Sequence, residues 1–321
     1  MLALSKFSAA ELALMTRVAR AYYIDGQKQP QIAERLGVSQ SKVSRLLTAA
    51  VEAGIVRISV VGPERDYPEL EQQLREKFGL RDAVIAHSAD DSEQSVLSAI
   101  GAAGAIYLEG TLQTDDVIGL SSWSSTLLAV VDSMRNSSAK TSKVVQLLGG
   151  VGNPTAQISA TRLTDELARV TSAEPMYLAA PGVVASREVR DGLLRDQYIS
   201  QVVEAWSKVS VALVGIGALQ PSPMLEQSGN TVGDAELTSL RNAAAVGDVC
   251  LHFFDADGSA VVSSFENRLI GIPAEVLRGV GRRIGFAGGS RKLEAVRAAL
   301  LGNWVDVLVT DQRTALALVS A

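Results

Sequence analysis

Five short loops of glycine and hydroxyl residues lie beside apolar runs in the larger, C-terminal part of the chain. They occupy residues 119–126 (GLSSWSST), 148–153 (LGGVGN), 215–217 (GIG), 247–248 (GD) and 287–292 (AGGSRK). In open α/β sheets, ligands bind at the carboxyl ends of strands, next to helix N-termini whose amides attract anions. One such loop alone more often reflects tight packing, but five in one domain favour a site for a small anionic or polyhydroxy ligand.

Charged residues beside these loops could supply polar contacts to such a ligand. Asp248 precedes an apolar run, where its carboxylate is well placed for sugar hydroxyls, and a turn or capping role is the alternative. The small residues before Lys292 would let its amine reach inward. Arg268 follows a short hairpin-like stretch. Its position is equally compatible with a ligand contact and with an ordinary surface arginine. We expect Asp311 to cap the last helix instead of contacting ligand.

Several classes of site are absent from the sequence. No loop carries the GxxxxGK[ST] pattern of NTPases, and no dinucleotide fingerprint opens the domain. Cys250 is the only cysteine, and the two histidines, His87 and His252, are far apart. We therefore expect no disulfide framework, no metal site and no cofactor.

An enzyme that isomerises or deaminates a sugar phosphate is the alternative to a binding protein. It would need a general acid and a general base near the reacting carbon. The candidates are Asp248, Asp255, Asp257 and Lys292. Because no carboxylate pair or histidine cluster demands turnover, we favour a binding function without catalytic residues.

A second chemical pattern, A-x-x-L-G-V-S-x-x-x-V-S-R, covers residues 33–45. Gly37 suits the left-handed backbone of a sharp turn, and Ser39 is expected to cap the helix that follows. One face of that helix presents Gln40, Ser41, Lys42, Ser44 and Arg45. Gln and Arg can bond base edges in the major groove, and Ser and Lys suit phosphates. The pattern predicts a head that binds double-stranded DNA, and a plain three-helix bundle with a solvated face is the alternative.

The distribution of charge agrees with a head of this kind. Residues 1–62 contain eight Lys and Arg and four acids, so their net charge of +4 leaves −9 for residues 63–321. A basic end on an acidic body is expected of a DNA-binding head on a larger soluble body, although chance segregation would look the same.

Local signals predict the helices that would position this face. Ser8 and Glu11 form a capping box, and Pro30 fits the first turn of a second helix. The predicted inward positions are Leu12, Met15, Val18, Ala19 and Tyr22 in the first helix, Ile32, Ala33 and Leu36 in the second, and Val43, Leu46, Leu47 and Ala50 in the third. Alternation over residues 55–60 predicts a short strand that resembles a reduced wing.

The remaining chain alternates short apolar runs with helical stretches after a polar linker at residues 63–68. The predicted strands are 82–86, 116–120, 143–148, 175–178, 209–215, 249–254, 283–287 and 304–310. Continuous apolar strands separated by helices indicate a parallel sheet covered on both faces. We therefore expect an α/β protein with two domains, 1–62 and 63–321.

No targeting or membrane segment is predicted. Lys6 and Glu11 interrupt the N-terminal apolar residues, and the longest apolar stretch, near residues 209–219, is too short to span a bilayer. We expect a cytoplasmic protein.

Taken together, these motifs resemble the SorC family of sugar-binding transcriptional regulators. The resemblance rests on residues 33–45, IGLSSWSSTL (118–127), LLGGVGN (147–153), LVGIGAL (213–219), AAVGD (244–248), AGGSRK (287–292) and LVTD (308–311). It implies a winged helix-turn-helix head and a Rossmann-like parallel-sheet effector domain related to sugar-phosphate isomerases and deaminases. It also implies a tetramer or dimer of dimers on a palindromic operator, controlled by a sugar, a sugar phosphate or a polyol. A repressor of carbohydrate catabolism is the function expected.

By position, the resemblance implies effector contacts from Ser124, Ser125, Thr126, Gly149, Gly150, Gly215, Gly217, Asp248, Arg268 and Lys292. Two departures stand out. Ser124 replaces the glycine that often follows the motif tryptophan, and Asp311-Gln312 replaces a common Asp-Glu pair. Some related regulators hold an aldehyde through a lysine on the strand before the Gly-Gly loop. Residues 146–148 (QLL) offer no amine, so non-covalent binding is expected.

Overall fold

Residues 8–53, 55–56, 67–135, 137, 139–230 and 232–320 are described by the computed structural model. The chain divides into two units, Met1–Val61 and Gly62–Ala321. We refer to them as the head and the body.

The first helix of the head begins at the predicted capping box. Helix α1 spans Ala9–Ala19; the Ser8 hydroxyl accepts a bond from the Glu11 amide, and the Glu11 carboxylate accepts one from the Ser8 amide. The helix continues as a π-helical turn, Arg20–Ile24. Because this turn bonds over five residues, it shifts the face that points inward. Ala21 is buried and Tyr22 is exposed, so the prediction of an inward Tyr22 is wrong.

The next two helices of the head meet at a left-handed glycine. Helix α2 (Gln29–Leu36) ends at Gly37, whose φ is 64°, and α3 (Gln40–Glu52) begins after Ser39, whose hydroxyl accepts from the Lys42 amide. The predicted core of these helices is confirmed: Val18, Ile32, Ala33, Val43 and Leu47 form one buried cluster. Most of the strand predicted at 55–60 lies outside the described residues, and Ile55 and Val56 are not in a strand.

The body is built on a seven-stranded sheet in which every pairing is parallel. Its strands are β1 (Asp82–Ala86), β2 (Val117–Leu120), β3 (Lys143–Gln146), β4 (Glu174–Met176), β5 (Val211–Gly215), β9 (Arg282–Phe286) and β10 (Val307–Asp311), in the order β1-β10-β9-β5-β2-β3-β4. The helices are α4 (Pro68–Phe78), α5 (Glu93–Thr111), α6 (Ser125–Ser133), α7 (Pro154–Thr171), α8 (Arg187–Leu194), α9 (Gln197–Trp206), α10 (Pro223–Ser228), α11 (Asp234–Asn242), α12 (Ala274–Arg278), α13 (Leu293–Leu301) and α14 (Gln312–Ser320). Two 3₁₀ turns, Ser264–Arg268 and Ser290–Lys292, complete it.

Continuous apolar strands arise because both faces of this sheet are buried. In β5, Ala212 and Val214 pack into one cluster, and Val211 and Leu213 pack into another on the opposite face. Each fully buried aliphatic side chain stabilises the fold by about 1.5–3 kcal/mol relative to exposure. The parallel α/β architecture expected from the sequence is therefore confirmed for the body.

The strand predicted over residues 249–254 is wrong, because the chain reverses inside it. Residues Gly247–Val249 (β7) and His252–Phe254 (β8) pair antiparallel, and Gly217–Ala218 (β6) adds a third strand on the β7 side. Cys250 and Leu251 form the turn with φ values of 52° and 63°. Neither residue is one that marks such a turn in a sequence, since non-glycine residues rarely adopt positive φ.

Candidate functional site

A small chamber lies where three neighbouring strands of the large sheet end. The strands β9, β5 and β2 are adjacent, and the segments after their carboxyl ends meet the β7–β8 turn there. The chamber has a volume of about 60 Å³, and its walls include Ser121, Trp123, Ser124, Ser125, Leu148, Gly215, Ile216, Gly217, Asp248, Cys250, Leu251 and Lys292. Carboxyl ends of parallel strands beside helix N-termini are the usual ligand site of open α/β sheets.

Ser124 has a structural role in addition to lining this chamber. Its hydroxyl accepts a hydrogen bond of 3.2 Å from the Leu127 amide and so caps α6. A Cβ placed on Gly215 would lie 2.8 Å from the Ser124 Oγ atom, so the side chain sits directly over the glycine. The close contact with Ser124 therefore requires glycine at position 215. The backbone amides of Ser125 and Thr126, in the first turn of α6, have no hydrogen-bond partner within the helix.

Asp248 and Lys292 bring opposite charges to the chamber. Burial raises the pKa of Asp248 to about 6, against the lowering effect of the Leu251 amide and of Lys292. Burial lowers the pKa of Lys292, helped by Arg291, while Asp248 acts in the other direction. One oxygen of Asp248 accepts from the Leu251 amide at 2.9 Å, which holds the β7–β8 turn. Within the described residues, no group accepts a hydrogen bond from the Lys292 amine, so it is available to a ligand.

A wider cleft of about 680 Å³ opens beside the chamber. The beginning of α5, the beginning of α6, α10 and residues 288–292 line it, and four residues line both spaces: Ser125, Ser222, Arg291 and Lys292. Arg291 pairs with Glu93 at 3.4 Å on its rim. Its volume lies within the range of sites for small molecules, whereas the chamber alone is much smaller.

The polar face predicted on α3 is open to solvent. The side chains of Gln40, Ser41, Lys42, Ser44 and Arg45 are all exposed, while Val43 between them is buried. Arg45 donates from Nε to the Ser41 carbonyl at 3.4 Å, which is a weak bond. These groups are free to contact a partner without unfolding the helix.

Known proteins match the chain over nearly its whole length. The family described as "Putative sugar-binding domain" matches residues 65–320. The deoxyribonucleoside regulator of Bacillus subtilis (strain 168) is 34% identical over 307 residues, covering 96% of this chain and 97% of that protein. The sorbitol operon regulator of Klebsiella pneumoniae is 32% identical over 313 residues, covering 95% and 97%. This chain belongs to the SorC family of sugar-binding transcriptional regulators.

A solved structure of the SorC family agrees with this assignment. The crystal structure of the full-length sorbitol operon regulator SorC from Klebsiella pneumoniae superposes with a TM-score of 0.73 at 30% identity. The superposition covers 96% of this chain and 98% of that chain. The fold of this chain is therefore similar to that of the sorbitol operon regulator.

Not every residue expected at the SorC-family site lies at the chamber. Gly149 packs against the backbone of Pro181 and Gly182, and Gly150 packs against the side chain of Gln146, so that a Cβ at either glycine would overlap these atoms. Neither glycine is among the residues that line the chamber or the cleft. Their position indicates close packing beneath the site.

Arg268 also lies away from the chamber walls. Its guanidinium group donates to the Val184 carbonyl at 3.1 Å and pairs with the Glu236 carboxylate. Both bonds tie the 3₁₀ turn Ser264–Arg268 to neighbouring segments of the body. This SorC-family position therefore has local partners in the structure, and it does not converge with Asp248 and Lys292.

Asp311 caps the last helix, as predicted, and also holds the glycine loop. One carboxylate oxygen accepts from the Thr314 amide at 3.0 Å, and the other accepts from the Gly289 amide at 2.8 Å. Gly289 has a φ of 86°, which favours glycine. Asp311 therefore positions the segment that carries Lys292.

Several chamber residues were not predicted from the sequence as ligand contacts, among them Trp123, Ser222 and Cys250. Trp123 donates from its indole nitrogen to the Gly149 carbonyl at 2.9 Å, and Ser222 caps α10. Burial raises the pKa of Cys250 to about 12, so its thiol is neutral at physiological pH. Trp123 could have been found, because it lies between the hydroxyl residues of the 119–126 loop.

The described residues contain neither a cluster of metal ligands nor a membrane-spanning helix. No group of three or more His, Cys, Asp or Glu side chains is arranged to hold a metal ion among them. None of the helices described has the length and apolar character needed to span a bilayer.

Proposed function

We propose that the chain is a DNA-binding transcriptional repressor of carbohydrate catabolism. Its operator affinity is controlled by a sugar, sugar phosphate or polyol held non-covalently in the chamber and the adjoining cleft. The observation that carries this proposal is the convergence of Asp248, Lys292 and the β2, β5 and β9 loops on one cavity of the body. A carboxylate and an ammonium group together can accept from and donate to the hydroxyl groups of a carbohydrate.

The head is proposed to act as a winged helix-turn-helix, with α3 in the major groove. The five exposed polar side chains of α3 support this, as does the net charge of +4 over residues 1–62. Phosphate contacts would make operator affinity fall steeply with salt. A palindromic operator would require a homo-oligomer, and we propose a tetramer or a dimer of dimers.

The chamber chemistry supports binding over turnover. Asp248 is the one carboxylate among the described residues that line the chamber. The Asp255 carboxylate accepts from the Asp257 and Ser259 amides in a surface turn, and neither Asp255 nor Asp257 lines the cavity. A relationship of the body to sugar-phosphate isomerases is thus proposed at the level of fold, without catalytic residues.

Control of the operator requires that the ligand favours one of two states of the protein. The test is fluorescence anisotropy of an operator fragment with the full-length protein, titrated with sugars, sugar phosphates and polyols. We expect at least one compound to weaken operator binding about fivefold or more, the usual lower range for coupling between sites. Operator binding that no compound alters, or turnover of a sugar phosphate that is lost in Asp248→Asn, would contradict the proposal.

A further inference from the structure

The start of α14 is bonded to two walls of the wider cleft. Asp311, which caps this helix, accepts from the Gly289 amide at 2.8 Å, and residues 288–292 form one wall. Arg313 pairs with the carboxylate of Asp91, which lines the cleft ahead of α5. A ligand that shifts either wall therefore acts on the same helical turn.

Gln312 lies between these two residues and holds a third segment of the body. Its side chain is buried, and it is not among the residues that line the cleft. Its Oε1 atom accepts from the Ser88 amide at 2.7 Å, and its Nε2 atom donates to the Ser88 carbonyl at 3.0 Å. A carboxylate of the same length could accept from the Ser88 amide but could not donate to the carbonyl. The amide of Gln312 thus fixes the backbone of Ser88 through both of its polar groups.

Ser88 is next to a contact with the segment that joins head and body. His87 precedes it, and the His87 Nδ1 atom is hydrogen-bonded to the Tyr67 hydroxyl at 2.7 Å. The two rings are stacked, with centroids 6.4 Å apart and planes at 16°. Tyr67 belongs to the polar segment 63–68, between the two units of the chain. Bonded neighbours therefore lead from the cleft walls through Gln312 and Ser88 to this segment.

We propose that Gln312 is a positioning residue that transmits ligand binding in the cleft to the segment joining head and body. This inference rests on the proposed function, since it names the route by which the same cavity controls operator affinity. Hydrogen-bond networks carry coupling between distant sites when they have two arrangements. A ligand that binds Arg291 competes with Glu93, its partner at 3.4 Å on the rim, and so changes how residues 88–93 are held. Such a ligand favours one arrangement and shifts operator affinity.

The test separates coupling from binding. Operator affinity of the full-length protein is measured by fluorescence anisotropy, without ligand and with a saturating hexitol phosphate, hexose phosphate or free hexitol. Isothermal titration calorimetry measures the affinity for the same compound. In Gln312→Met, which keeps the length of the side chain but loses the amide, we expect the ligand effect on operator affinity to fall from about fivefold or more to about twofold or less. The separate affinities for ligand and operator should stay within about threefold of the wild-type values.

Tyr67→Phe is the second variant, because it keeps the stacked ring and removes only the hydroxyl that bonds His87. It should lower the ligand effect in the same direction. Tyr177→Phe is the matched control: its hydroxyl donates to the Asp165 carboxylate, and this bond does not involve Gln312, Ser88 or Tyr67. The ligand effect should be unchanged in this control. Circular dichroism checks that each variant is folded, and if Gln312→Met does not fold, Tyr67→Phe decides alone.

The outcomes distinguish this inference from the proposed function. A full ligand effect in folded Gln312→Met, or in Tyr67→Phe, overturns the route through Gln312 and leaves the regulator proposal intact. Loss of ligand or operator binding itself in Gln312→Met would show a structural role, and an equal loss of the ligand effect in Tyr177→Phe would show that the route is not specific; either result overturns the inference. If no sugar, sugar phosphate or polyol alters operator binding by the wild-type protein, the proposed function and this inference fail together.

Discussion

Head and body use their polar side chains in opposite ways. On α3, the residues proposed to contact DNA are exposed and make few bonds within the protein. At the chamber, Ser124 caps a helix and Asp248 holds a turn, so the same groups that face the ligand also maintain the fold. Substitutions on the exposed polar face of α3 should therefore change function alone, whereas substitutions at the chamber should change function and stability together.

The largest effect is expected where the body packs most closely. Gly149→Ala would place a methyl group into the Pro181 backbone, and we expect a loss of about 2–3 kcal/mol in the free energy of unfolding. Urea denaturation, followed by a spectroscopic signal of the body, measures this loss in the free energy of unfolding. Gly110→Ala is the matched control in α5, where no atom lies within 4 Å, and it should stabilise by about 0.5–1 kcal/mol. Equal changes in the free energy of unfolding of the two variants would contradict the close packing at Gly149.

The next effect concerns function in the head. Arg45→Ala is expected to weaken operator binding by about 2 kcal/mol if the guanidinium group reads a base. Because Arg45 is exposed, the melting temperature should stay unchanged. Anisotropy titrations with operator and with random DNA measure the difference. An equal loss of affinity for operator and random DNA would assign Arg45 to phosphate contacts. A lowered melting temperature would contradict the claim that the exposed face of α3 does not contribute to stability.

Effector affinity should depend on pH through Asp248. Its pKa is raised to about 6 in the folded protein, and hydroxyl donors on a ligand favour the ionised carboxylate. Affinity should therefore be close to complete above about pH 7 and fall about tenfold between pH 7 and pH 5. Calorimetry of a hexitol phosphate across this range measures it. Asp248→Asn should flatten the profile, and a wild-type affinity that rises toward acid would show that the protonated carboxyl is the binding form.

The smallest effect is expected at the cap of α3. Ser39→Ala removes the acceptor for the Lys42 amide and should destabilise the head by about 1 kcal/mol. Hydrogen exchange of the α3 amides, compared with those of the body, measures this loss. Uniform changes across the whole chain would mean that head and body do not unfold separately.

Local signals in the sequence predicted the helix starts well, because a cap depends on residues three positions apart. Ser8 and Ser39 both cap the helices predicted from them. The reversal at Cys250 and Leu251 was missed, because an apolar run with positive φ at ordinary residues carries no turn signal. The spacing of the apolar residues also gives no signal of the π-helical turn that exposes Tyr22.

The candidate site was predicted only in part, because a glycine in a sequence does not show which atoms pack against it in the fold. Gly215 and Gly217 line the chamber, while Gly149 meets the backbone of a neighbouring segment, although all lie in similar loops. Asp248 and Lys292 were found because a charge beside an apolar run or a glycine loop is unusual. Their meeting in one chamber depends on the order of the strands, which the sequence does not state.

The central claim is that the cavity of the body and the DNA-binding face of the head are thermodynamically linked. The most direct test measures the affinity of the full-length protein for a hexitol phosphate, with and without saturating operator DNA. We predict that operator weakens effector binding by the same factor, about fivefold or more, by which the effector weakens operator binding. Effector binding that is unaltered by operator, at a protein that binds both, would contradict the account.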